Sequence, residues 1–131
     1  MEVIDHAQQP TEDWRPGVTT RMCISARTGA QHLTVFEQWV EPGLGAPEHR
    51  HSVEEIGSVL VGKAEVFFGG ESAILTEGQS VVIPAGVRHS FLNCGSSQLK
   101  MRFILAAPVF EAMYGSSNEL TRRWLREHPQ I

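Results

Sequence analysis

Cysteine is scarce in this sequence: Cys23 and Cys94 are the only two among 131 residues, and they form no spaced disulfide framework. Long apolar runs are missing as well. The strongest, Phe103 to Phe110, is broken by Pro108 and falls far short of the ~20 residues that a membrane helix requires. Basic residues are in deficit, eleven against fifteen acidic ones, and the resulting formal charge of −4 is too small and of the wrong sign for a phosphate-binding surface. No nucleic-acid partner and no membrane partner are expected. The N-terminus, Met-Glu-Val-Ile-Asp-His, lacks the basic-then-apolar pattern of a secretory signal, so a soluble protein in a reducing cytoplasm is the expectation. There are no repeats and no low-complexity tract. What remains is one domain's worth of chain, long enough to bury about two thirds of its unfolded surface without a disulfide staple.

The regular segments read as strands. Residues 1–18 are polar and carry a Pro16-Gly17 turn signal, which predicts an arm; its Trp14 needs cover, either from its own barrel or a partner subunit or as a lid over a substrate. Strands are expected over Thr19–Ala26 and His32–Glu41, although in the second both faces carry apolar residues. A further run extends from Val53 to Gly62, and Ala64–Phe68 and Ser72–Thr76 flank Gly69-Gly70, which fits a two-residue hairpin turn or a looser connection that includes Glu71. Ser80–Ile83 is β-branched and too short for a helix. In Gln98–Ala106 the apolar residues Met101, Phe103 and Leu105 share one parity and Lys100 and Arg102 the other. Ser116-Ser-Asn-Glu119 resembles a capping box, so a short C-terminal helix carrying Leu120 and Trp124 and closed by Pro129 is expected.

The chemistry concentrates in two stretches. His49, His51 and Glu55 are separated by even numbers of residues, so on an extended strand they project to one face while Arg50 and Glu54 point away. Glu54 could replace Glu55 only if a bulge intervened. A second stretch supplies His89 after an apolar run and a Pro84-x-Gly86 turn. Three imidazoles and a carboxylate suit one divalent transition metal, Fe, Mn, Co, Ni, Cu or Zn, and do not suit Ca(II), which prefers oxygen-only shells. His6, His32 and His128 sit in polar settings and are read as solvated.

These two stretches carry a family resemblance. Gly43-x5-His49-x-His51-x3-Glu55-x6-Gly62 resembles the first motif of the cupin superfamily, and Gly78-x5-Pro84-x-Gly86-x2-His89-x3-Asn93 resembles the second. The resemblance implies an all-β fold, a single double-stranded β-helix or jelly-roll barrel over residues 19–110, between the arm and a helical tail at 111–131, with one metal held by His49, His51, Glu55 and His89. By analogy with small cupins, Phe36 and Gln38 face the cavity, joined by Val59, Phe91, Asn93, Met101, Phe103 and Leu105. In thiol dioxygenases of the same superfamily a cysteine replaces the first-motif glutamate and links to tyrosine; here Glu55 is present and the sole tyrosine, Tyr114, lies past the expected barrel strands, so no cross-link is predicted.

Three functions fit this reading. The first is a dioxygenase acting on an apolar or aromatic enol, phenol or diketone, with Glu55 or a nearby carboxylate taking the substrate proton. The second is a non-redox isomerase or lyase of a sugar or keto acid, which would need more polar lining than Gln38 and Asn93 supply. The third is a small-molecule binding or sensing barrel without turnover. Small cupins pair through barrel edges, so the resemblance also implies a homodimer.

Overall fold

The computed structural model describes residues 1–127. In chain order the strands are β1 (Thr11–Arg15), β2 (Val18–Ile24), β3 (Thr34–Val40), β4 (Gly45–Arg50), β5 (Glu55–Val61), β6 (Lys63–Phe68), β7 (Glu71–Thr76), β8 (Ser80–Ile83), β9 (His89–Asn93), β10 (Leu99–Leu105), β11 (Phe110–Tyr114) and β12 (Thr121–Arg123). They form two antiparallel six-stranded sheets, ordered β1-β2-β3-β10-β5-β8 and β12-β11-β4-β9-β6-β7. This is the all-β jelly roll that the two motifs imply. Short 3-10 turns at His6–Gln8 and Ala26–Thr28 are the only helical pieces among the described residues, none of which forms a helix long and apolar enough to cross a membrane.

Alternation places the core between the sheets. In β10, Leu99, Met101, Phe103 and Leu105 are buried while Lys100, Arg102 and Ile104 face outward and are half-buried. Each inward side chain of this size contributes about 2 kcal/mol of apolar burial. β3 resolves the ambiguity of its two apolar faces in the same way: Phe36 and Gln38 point inward at 3% and 2% exposure. Its outward Glu37 is nevertheless buried, because Arg102, Lys100 and Arg21 close over it at 3.1, 3.8 and 4.0 Å. Burial alone would raise this carboxyl's pKa, but the Arg102 hydrogen bond and the Lys100 charge outweigh it and lower the value. Between β6 and β7, Gly69 and Gly70 both adopt left-handed φ values, 63° and 75°, so the connection is the tight hairpin with Glu71 inside the strand.

Both ends of the chain depart from expectation. Residues 11–15, read as part of an arm, pair with β2 at the edge of the first sheet. The expected C-terminal helix does not form. Ser117 Oγ accepts the Glu119 N–H at 3.0 Å, as a local cap would, but the chain then enters β12 and pairs with β11 through Phe110 and Arg123. Trp124 follows with φ of 63°, and its indole, 3% exposed, packs on Trp14, Phe36 and Phe110. Burying that ring outweighs a helix cap worth about 1 kcal/mol. His128 and Pro129 lie outside the described residues.

Candidate metal centre

The ligand-type residues reach one point from both sheets. His49 in β4 stands opposite His89 in β9 and Tyr114 in β11, so three ring side chains form a row across one sheet. A bulge in β4 between Ala46 and His49 leaves Pro47 and Glu48 exposed and turns the His49 ring inward. His51 lies just past the end of β4, held by its carbonyl, which accepts the Gly86 N–H at 2.7 Å. The chain then crosses to the other sheet, where Glu55 opens β5 beside Leu105 and Ile83. The even spacing therefore selects the right residues for a different reason than a single extended strand, since β4 ends at Arg50, before His51, and Glu55 begins β5. Glu54 is exposed and takes no part.

All four side chains are buried, and their ligand atoms lie within 4.8 Å of one another. Each imidazole is oriented through Nδ1, which lies 2.8 Å from the Pro47 carbonyl in His49, 2.6 Å from the Glu111 carbonyl in His51 and 2.9 Å from the Val87 carbonyl in His89. Carbonyls only accept, so Nδ1 carries the proton and Nε2 is left as a lone pair. Glu55 stands at 3.3 Å from His51 Nε2 and 3.1 Å from His89 Nε2, yet neither nitrogen has a hydrogen-bond partner. Lone pairs facing carboxylate oxygens in a buried space repel unless a proton or a cation lies between them. Neighbouring ligands on an ion with ~2.1 Å bonds are about 3.0 Å apart in an octahedron and about 3.4 Å apart in a tetrahedron, so the spacing fits a metal.

The electrostatics express the same crowding. Burial, helped by His89 and His51, pushes the His49 pKa down to about 4. Burial would also lower that of His51, but Glu55 outweighs it and raises the value. For Glu55 burial acts upward, and His51 and His89 overcome it to bring the carboxyl down to about 2.

Beside the cluster opens a narrow cavity of about 30 Å3. Phe36, Gln38, Phe91, Met101 and Phe103, expected to face it, do line it. Val59 and Leu105 are fully buried in the core and do not reach it. Asn93 is not part of the lining either: its amide donates to the Val40 and Ser97 carbonyls at 2.9 Å each and accepts from Gly95 N–H at 3.0 Å, clamping a loop. Gln38 donates to Thr20 Oγ1 at 3.0 Å. Among the lining residues that the sequence reading did not place in the cavity, Arg15, Phe110 and Tyr114 come, like Trp14, from segments outside the two motifs. An unburied aromatic in a polar arm was the one signal, and Trp14 packs on its own barrel, 4.9 Å from Phe110 and 5.8 Å from Phe36.

A family model described as a cupin domain matches residues 36–106, more than half of the 131. The chain belongs to the cupin family. This cupin is 33% identical over 88 residues to the polyketide synthase CurC of Streptomyces cyaneus, a match covering 66% of this chain and 54% of that protein. The chain thus spans about half the length of that curated relative (54%). Among solved structures it is similar to the polyketide cyclase RemF of Streptomyces resistomycificus, with TM-score 0.73 and 20% identity over 97% of this chain and 88% of that one. It is also similar to a Lactobacillus farciminis oxalate decarboxylase, with TM-score 0.74 and 18% identity over 82% of this chain and 34% of that one. At such identities the two structural likenesses speak to the fold alone.

Proposed function

We propose that this cupin is a metal-dependent enzyme of flat, apolar, enolisable substrates of the polyketide type, holding one divalent transition-metal ion per chain on His49, His51, Glu55 and His89. The observation that carries the reading is the one-sidedness of the cavity: four buried ligand-type side chains abut a wall made of Trp14, Phe36, Phe91, Met101, Phe103 and Phe110. When bound, such an ion supplies a Lewis acid that favours the ionised form of a ketone, enol or phenol oxygen. The aromatic wall orients the carbon skeleton and excludes water. Tyr114 lies 5.5 Å from the His49 ring, and burial raises its pKa, so its hydroxyl stays protonated and can donate to the substrate oxygen. Glu55 keeps in this proposal the two roles expected of it, metal ligand and acceptor of the substrate proton.

Carbon–carbon closure within a polyketone is the first reading of the reaction, supported by the polyketide name of CurC, 33% identical over 88 residues. Oxygenation of the same substrate class is the second, favoured by the dry aromatic wall. A hydroxyl-rich sugar is a poor match, because the amides of Gln38 and Asn93 already donate to Thr20 and to backbone carbonyls. An oxygen electrode and product mass on a β-diketone or polyketone panel separate the two: loss of water without oxygen uptake supports closure, and gain of oxygen atoms supports the dioxygenase. Metal-loaded protein that binds no member of the panel would sink both.

A cytoplasmic location belongs to the proposal on the strength of the unpaired Cys23 and Cys94. So does a homodimer. Trp14 no longer argues for it, being covered by its own chain; support comes from Val35, Ile104, Ile56 and Val82, which register side by side on the outer face of β3, β10, β5 and β8.

A further inference from the structure

We propose that Arg15 and Arg123 form a carboxylate-binding subsite at the Tyr114 side of the cavity, so that the substrate is an aromatic acid. The inference rests on the aromatic-pocket reading above and adds a charge to it. Both arginines come from strands outside residues 36–106, the part matched by the family model.

The backbone explains how they meet. In β1 the register passes from Asp13 opposite Thr19 to Arg15 opposite Val18, leaving Trp14 as the bulged residue. A bulge lets two consecutive side chains turn to one side, and Trp14 and Arg15 both line the cavity. β12 lies along β11 with Arg123 opposite Phe110, and the Arg123 guanidinium sits over the Trp14 ring, 4.1 Å from its centroid. One guanidinium thus covers the indole, and the Arg15 charge is near enough to feel that of Arg123, while both act on Tyr114.

Among the described residues no carboxylate approaches either arginine within salt-bridge distance, whereas the adjacent Arg122 is paired with Glu111 at 3.0 Å. Acidic side chains in β1 are committed elsewhere: Glu12 accepts from Trp124 Nε1 at 2.8 Å and Asp13 from Thr19 Oγ1 at 3.3 Å. Arg15 Nε, Arg123 Nε and Trp14 Nε1 are all buried without a hydrogen-bond partner among the described residues. Three orphaned donors and two like charges at one place cost stability in the free protein, and an acceptor carrying negative charge relieves both. Guanidinium forks match the planar geometry of a carboxylate, and the apolar wall matches the ring that would carry it.

The test is titration of the full chain, by calorimetry or tryptophan fluorescence, with para-hydroxycinnamate and with its methyl ester, before and after EDTA treatment. The expected result is that the acid binds about tenfold more tightly than the ester, the worth of one charge-assisted contact, and that the preference survives EDTA. Arg15→Gln and Arg123→Gln should each bring the ratio towards unity, while Arg15→Lys keeps part of it. Should Arg123→Gln fail to fold after losing its contact with Trp14, Arg15→Gln decides alone. An ester bound as tightly as the acid, a ratio untouched by both substitutions, or a preference abolished by EDTA overturns the subsite and leaves the aromatic pocket standing. If neither compound binds wild type, the pocket reading falls with it.

Discussion

His49 shows how a single side chain couples binding to stability. Its ring is buried against two other imidazoles, so the folded protein resists protonating it until about pH 4. The unfolded chain takes up that proton near 6.5. Between those values the unfolded state binds more protons, and stability falls as pH falls. Glu55, with a folded pKa of about 2 against 4.5, adds a loss in the same direction below about pH 4.5. His51 acts oppositely: its raised pKa gives a contribution present below its unfolded value and lost as pH rises through the folded one. In EDTA-treated protein His49→Gln should therefore gain relative to wild type on acidification from pH 6.5 to 4, by at most about 3 kcal/mol, read as melting temperature against pH. A parallel pair of curves would refute the assignment. Metal is expected to be retained through purification without added metal and lost from His49→Ala and His89→Ala, as elemental analysis would show. Retention by both variants would rule out the cluster as the site.

The strands impose their own constraints on the cluster. β4 and β9 approach so closely at Gly45 that a Cβ there would stand 1.8 Å from the Phe91 carbonyl oxygen. Gly45→Ala must separate the two strands that hold His49 and His89, and it should cost about 2–4 kcal/mol and weaken metal binding together. Loss of stability with undiminished metal affinity would show that the strands move as a unit. Phe110 in β11 is 2% exposed and touches Trp14, Phe36, Trp124 and His51. Truncation in Phe110→Ala should lower unfolding free energy by about 3–5 kcal/mol in a denaturant titration. β11 and β12 were read from sequence as a helical tail, because a local cap motif is visible in one dimension and a partner strand such as β4 is not.

At the scale of the molecule, an outward apolar band of half-buried Val35, Ile104 and Ile56 with exposed Val82 crosses four strands of one sheet. A homodimer formed on that band should give the mass of two chains in light scattering, and Ile104→Glu should give one. Wild type running as a single chain at micromolar concentration would remove the dimer.

Residue chemistry and two gapped motifs were enough to name His49, His51, Glu55 and His89, while the inward face of β10 and the Gly69-Gly70 hairpin each depend on a period or a turn contained within a few residues. Tertiary structure alone decided that Glu55 arrives from the opposite sheet, that Asn93 clamps a loop, that Trp14, Arg15 and Tyr114 line the cavity, and that Arg123 covers Trp14. Those outcomes depend on pairing between strands far apart in the chain, where no local pattern records which partner a side chain will face.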